Sequence, residues 1–195
     1  MFIANKLRKE NIAEYLLYMW QVEDIIRAYN CEIVRIRKEY LSTFSLNEED
    51  LDEEEIWWRN LVRMMREEGV QKSGHLQINK ATMQLLCELN EQLLASPKYP
   101  FYNSQYYKVL PYIVELRRKS QSNQSHSQSH SHSQSLSEAH GEVETCFDAL
   151  YGMMMLKLQK KEISPDTEHA MKEITTFIGM LNDYYMKDKI KPLEF

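Results

Sequence analysis

Apolar side chains recur every three or four residues along most of this chain, the spacing of helices that bury one face. No segment keeps the two-residue alternation of a strand for more than a few residues. The first strong stripe is Ile12, Leu16, Met19, Trp20 and Ile26, with Asn11 and Glu14 spaced as an N-cap and its reciprocal acid. That helix has room to begin as early as Asn5. A short helix with Ile33, Ile36, Tyr40 and Leu41 on one side follows. The next is predicted from Asn47, its cap, to Glu68, with Gly69 suited to the left-handed position beyond its end. Leu51, Trp57, Trp58, Leu61, Val62, Met64 and Met65 form its apolar side, and Arg59, Arg63 and Arg66 lie opposite.

A connection, VQKSGHLQ, leads to a helix over residues 76–95 that carries Leu76, Met83, Leu86, Leu89 and Leu93 on one face. Ser96-Pro97 stops it, because the residue before proline avoids the helical region. In KYPFYNSQYYKVLPYIVELRRK, Asn103 is the expected cap of a helix that ends at Lys119 and that Pro111 kinks or divides. Residues 120–140, SQSNQSHSQSHSHSQSLSEAH, offer almost nothing to bury and read as a disordered insert. Beyond it, Val143, Phe147, Leu150, Met154 and Leu158 line one helix. Ser164-Pro165 then opens the last helix, with a seam at Met171, Ile174, Ile178, Leu181 and Tyr185. These two helices should pair as an antiparallel hairpin, and the tail KDKIKPLEF should fray. The expected architecture is all-α: a single bundle-like domain of six or seven helices with a disordered Ser/Gln/His-rich insert. Residues 1–119 form its N-terminal part, 120–140 the linker, and 141–195 a helical hairpin on the same core.

Composition narrows the reading. The chain has 195 residues, enough for one domain, and five Gly with five Pro are too few for the turns of a sandwich or barrel. A net charge of −5 with no basic region argues against nucleic acid as a partner. Cys31, Cys87 and Cys146 are odd in number and make no CxxC, which fits a reducing compartment. The N-terminus has no unbroken apolar h-region, and no run is long and apolar enough for a membrane helix. A cytoplasmic protein that does not engage a membrane is expected.

At RKENIAEYLLYMWQVEDIIRAYN and ETCFDALYGMMMLKLQKKEISPDTE the chain resembles a bacterial family known as a domain of unknown function. The resemblance extends over the chain except for the Ser/Gln/His insert. It implies a small bacterial cytosolic protein and transfers no activity, cofactor or site residue.

Candidate chemistry is sparse. Glu23 sits in the centre of the first apolar stripe, where an ionised carboxylate is costly without partners. Arg27, four residues on, is placed to pair with it, and an arginine from the third helix could join them. A cleft around Glu23 and Arg27, extended by Arg59 and Arg63, would instead make a ligand site, with Glu23 as contact or general base. Tyr102, Tyr106, Tyr107 and Arg117 belong to an aromatic and basic cluster of the kind that partner surfaces use. The single Asp166-x-x-His169 spacing falls short of a di-iron set. The insert histidines His126, His130 and His132 read as solvated, and Met153, Met154 and Met155 as core filling. No phosphate loop, nucleophile elbow, zincin or kinase signature occurs, and no cofactor or metal is expected. The leading expectation is a non-enzymatic module for protein–protein contact or self-association. The alternative is a small-molecule-binding protein or enzyme with a polar pocket around Glu23 and Arg27.

Overall fold

The computed structural model describes residues 1–125 and 141–195, with side chains as far as Lys119 in the first stretch. Residues 126–140, most of the expected disordered insert with its histidines, lie outside the described residues. Among the described residues there are eight α-helices and no strand. They are α1 (Phe2–Glu10), α2 (Ile12–Ala28), α3 (Ile33–Arg35), α4 (Glu48–Glu67), α5 (Gln77–Ala95), α6 (Pro100–Ser125), α7 (Glu142–Leu158) and α8 (Pro165–Ile190). Two compact units result, Met1–Gln84 and Leu85–Phe195, so the division falls inside α5 and not at the insert.

In the first unit, what reads as one opening helix is two. Asn11 is extended, at φ −155° and ψ 99°. Its N–H closes α1 on Leu7 O at 2.7 Å. Its Oδ1 opens α2 by accepting from Glu14 N at 3.0 Å, while its Nδ2 reaches the Glu14 carboxylate at 3.0 Å. One residue thus ends one helix with its backbone amide and starts the next with its side chain. After α3 the chain widens into a π-helical turn, Ile36–Tyr40, and then a 3₁₀ turn, Leu41–Thr43. The wide turn lets Ile36 and Leu41, five residues apart, both reach the core, where each is fully buried. Leu16, Met19, Ile26, Trp58 and Met65 complete that core.

The acidic start of α4 has a second role beyond complementing the helix dipole. Glu54 is buried, holds the Met1 amine, and accepts from Phe2 N at 3.0 Å, so it caps α1 from a distance. Glu55, also buried, pairs with both Arg37 and Arg59.

Three helices end in the same way. Asn30 after α2, Gly69 after α4 and Lys160 after α7 take left-handed φ values of 53°, 70° and 53°. The residue beyond each donates back into the helix: Cys31 to Ile26 O at 2.9 Å, Val70 to Met65 O at 2.9 Å and Lys161 to Leu156 O at 3.1 Å. This is the 6→1 closure that satisfies terminal carbonyls.

In the second unit, α6 starts at Pro100 and not at Asn103. Proline suits the first helical position because its missing N–H is an orphan there in any case. Asn103 instead donates to Tyr99 O at 3.1 Å. Pro111 lies within α6 without dividing it, and the helix continues past Lys119 to Ser125. α6 and α8 run antiparallel. Tyr99 meets Tyr184 (ring centroids 5.1 Å apart), Tyr102 meets Phe177 (5.4 Å), and Gln105 Nε2 donates to the Glu173 carboxylate at 2.9 Å. α7 adds Val143, Cys146 and Phe147 to this core. The tail packs rather than frays: Leu193 N donates to Asp188 at 2.8 Å, and the Tyr99 hydroxyl donates to Glu194 O at 2.9 Å.

Candidate functional site

Glu23 is 0% exposed, and its partners explain why the sequence tolerates it. α5 begins at Gln77, and the residue before it is Leu76, whose carbonyl accepts from Asn79 N and Lys80 N. Leucine brings no side-chain oxygen to cap the exposed amides of a helix start. Glu23, projecting from α2, supplies that oxygen. Its Oε1 accepts from Leu76 N at 2.9 Å and from Asn79 Nδ2 at 2.7 Å. Its Oε2 sits 2.6 Å from His75 Nδ1. A carboxylate accepts, so the His75 Nδ1–H donates. Glu68, at the end of α4, takes the next amide, Gln77 N, at 2.6 Å. Two carboxylates from other helices therefore serve the first turn of α5, where its dipole favours negative charge.

The approach to this turn is fixed as well. Gly74 has φ +85°, a conformation that costs glycine nothing. Arg27 donates to Gly74 O and, at 3.3 Å, to Val70 O, and pairs with Asp24 at 2.7 Å. Its guanidinium is 3.9 Å from Glu23, so the expected i,i+4 pair exists but is the longest of Arg27's interactions. The His75 ring stacks on Trp20, with centroids 4.3 Å apart and planes 19° from parallel, and its side chain is 34% exposed. Two buried atoms here, Arg27 Nε and Asn79 Oδ1, have no hydrogen-bond partner among the described residues.

The other charged candidates find partners on their own helix. Arg59 pairs with Glu55, and Arg63 lies 3.8 Å from Glu67 with both groups exposed. No arginine of α4 is bonded to Glu23; Arg66 instead donates to Cys31 O at 2.7 Å. Among the described residues, no group of three or more His, Cys, Asp or Glu side chains is arranged to hold a metal. All three cysteines are free thiols. Burial pushes Cys31 up, and carries Cys87 to about 11 and Cys146 to about 12, well away from the range of a reactive thiolate.

The aromatic cluster divides by depth. Tyr102 is fully buried, its hydroxyl donating to Asn90 Oδ1 at 2.7 Å, so it is a core residue of its unit and not a contact for a partner. Tyr106 donates to Glu142 at 2.8 Å; burial and that bond push its phenol to about 12. Arg117 Nε reaches Thr145 Oγ1 at 3.2 Å. Tyr107 alone of the four is exposed, at 66%.

A different surface emerges on α7. Its apolar stripe starts in the core, with Val143 and Phe147 buried. It then leaves it: Leu150 and Met154 are half-buried and Leu158 is 60% exposed. Met153 and Met155 are likewise half-buried, and Leu156 is exposed. Met153, Met154 and Met155 thus lie on the flank of the unit, whereas the sequence places them in its core. α8 offers nothing large and apolar to cover this end, since its first turns are polar and its first buried side chain is Met171.

His75 and Asn79 are the site residues that sequence reasoning misses. The available signal is an absence: a helix starting at residue 77 with no Ser, Thr, Asp or Asn at its cap needs an acceptor from elsewhere. Nothing in the pattern identifies His75 as the neighbour of Glu23.

What stands on this frame is an all-α protein whose most buried carboxylate serves a helix end, and in which no helix of the described residues is long and apolar enough to cross a membrane. The chain belongs to the family described as a domain of unknown function (DUF4924), whose model matches residues 1–191. No curated protein and no solved structure matches it.

Proposed function

We propose that the chain is a non-enzymatic helical module that works by contacting another protein in the bacterial cytoplasm. The observation that carries this reading is the α7 stripe, which continues past the core of its own unit as Met154 and Leu158. Exposed contiguous apolar surface is costly unless something covers it, and methionine is common on surfaces that adapt to partners. Glu23 supports the reading from the other side, because both its oxygens are taken by groups that build α5. Free thiols fit a reducing compartment, and a net charge of −5 disfavours nucleic acid as the partner. Size-exclusion chromatography with light scattering, together with affinity capture from the native cell, tests the proposal. A strict monomer that retains no stoichiometric partner overturns it.

One observation favours a second reading, a small-molecule-binding protein or enzyme around Glu23 and Arg27. A buried acid holding a partly exposed histidine by Nδ1 leaves Nε2 directed away from the acid, as general-base pairs do. Under that reading His75→Gln abolishes ligand binding in a metabolite-library thermal-shift screen. If no compound shifts even the wild-type chain, this reading is overturned.

A further inference from the structure

We infer that His75 Nε2 is a phosphoryl-acceptor site, the nucleophile of an acid–histidine pair whose acid is Glu23. The inference goes beyond the protein-contact reading and does not depend on it. It uses the pair of the second reading but asks for no bound metabolite. A neutral imidazole attacks through the one ring nitrogen that carries a lone pair. Here a hydrogen bond chooses which. Glu23 Oε2 lies 2.6 Å from His75 Nδ1, so the ring proton sits on Nδ1 and the lone pair on Nε2. The acid is held in place, because its other oxygen accepts from Leu76 N at 2.9 Å and from Asn79 Nδ2 at 2.7 Å, and its side chain is fully buried. The ring is held as well, stacked on the buried Trp20 with centroids 4.3 Å apart. Nε2 makes no hydrogen bond with a described residue, and the side chain keeps 34% exposure. A fixed acid, a fixed ring and a free lone pair are what activate a nucleophile. In the transfer step the Nε2 lone pair forms a bond to phosphorus. The bond from phosphorus to its leaving group breaks, and the leaving group departs with that electron pair. The positive charge that develops on the ring faces the Glu23 carboxylate across the Nδ1–H bond. Arg27, 3.9 Å from the same carboxylate, offsets part of the negative charge that the phosphoryl group brings. A phosphoryl group is the electrophile that leaves a lasting mark on this nitrogen, since acyl-imidazoles hydrolyse readily whereas the charged N-phosphoryl group resists hydroxide.

The probe is potassium phosphoramidate, a small phosphoryl donor whose leaving group is ammonia. The full wild-type chain is incubated with it, and phosphorylation of each histidine is followed by tandem mass spectrometry under alkaline handling, which preserves the N–P bond. His169 is the internal reference, an exposed histidine of α8 that rests against Tyr112 and has no hydrogen bond to a described carboxylate. His75 is expected to react at least about 10-fold faster. This comparison within one chain needs no variant. In Glu23→Gln the amide donates to Nδ1 and the ring proton moves to Nε2, so the exposed nitrogen loses its lone pair. The rate at His75 should then fall to that of His169 or below. Nitrogen-15 chemical shifts of His75 should place the proton on Nδ1 in the wild type and on Nε2 in the variant, and tryptophan fluorescence checks that the variant is folded. A His75 no faster than His169 overturns the inference. So does a folded Glu23→Gln chain that reacts at the wild-type rate, or a wild type whose ring proton lies on Nε2. Each of these failures leaves the protein-contact reading standing, and the metabolite screen judges the second reading by itself.

Discussion

Replacing Glu23 separates a capping carboxylate from a ligand-binding one. In Glu23→Leu, the Leu76 amide and the Asn79 amide group, both buried, lose their acceptor, and His75 loses its Nδ1 partner. Hydrogen bonds to charged groups contribute about 1.5–3 kcal/mol each, and buried donors left alone cost a similar amount. The three share one acceptor and do not add fully, so the expected loss is about 3–5 kcal/mol. Glu23→Gln should behave differently. Its carbonyl still accepts from Leu76 and Asn79, and its amide can donate to His75 once the ring shifts its proton to Nε2. Only the charge is lost, at about 1–2 kcal/mol. The assay is urea unfolding read by tryptophan fluorescence. Trp20, Trp57 and Trp58, the three tryptophans of the chain, all lie in Met1–Gln84, so the signal reports the unit that holds Glu23. Equal losses for the two variants, or less than about 1 kcal/mol for Glu23→Leu, would refute the capping account.

Other changes test the rest of the frame. Gly69→Ala meets no atom within 4 Å of the added carbon, so it should cost only the left-handed strain, about 1–2 kcal/mol in the same fluorescence assay. Tyr102→Phe leaves buried Asn90 Oδ1 without its donor and should cost about 1–2 kcal/mol, read by far-UV dichroism because the change lies in the second unit. Burial raises Cys87 from 9.0 to about 11, Cys146 from 9.0 to about 12, and Tyr106 from 10.0 to about 12. Above pH 9 the unfolded chain ionises these groups while the folded unit keeps them neutral. The unfolded state then binds fewer protons, so this stability is full below pH 9 and is lost as pH rises through 11 to 12. Urea midpoints by dichroism should fall between about pH 8 and about pH 10; a constant or rising midpoint contradicts the burial of these groups.

What was legible in the chain followed the physics of nearest neighbours. The stripes of α2, α4, α5 and α8 repeat over several turns and need no partner to be read. The caps at Asn11, Asn47 and Ser164 act within three residues, and each accepts the expected amide. Gly69 announces its left-handed end by its type. Asn30 and Lys160 adopt the same conformation, and the lysine gives no such notice. The cap at Asn11 is legible, but the separate helix α1 before it is not, because apolar residues continue on both sides of the break. The α7 stripe is legible as a stripe, but periodicity does not say how far along a helix the neighbouring helix supplies cover. Glu23 was recognisable as an anomaly from its place in that pattern. Its resolution depended on amides 53 residues away, which only the assembled unit brings near.

The reach of Glu23 bears on the order in which the chain folds. α5 lacks a cap of its own, so its first turn waits for α2, and closing a loop of that length carries an entropic cost before the contact returns anything. The end of α5 should therefore settle after the barrier is crossed. Weakening the Glu23 contact should then leave the refolding rate nearly unchanged and hasten unfolding. A cut-out peptide spanning residues 76–95 should be ragged at its amino end even where its middle is helical.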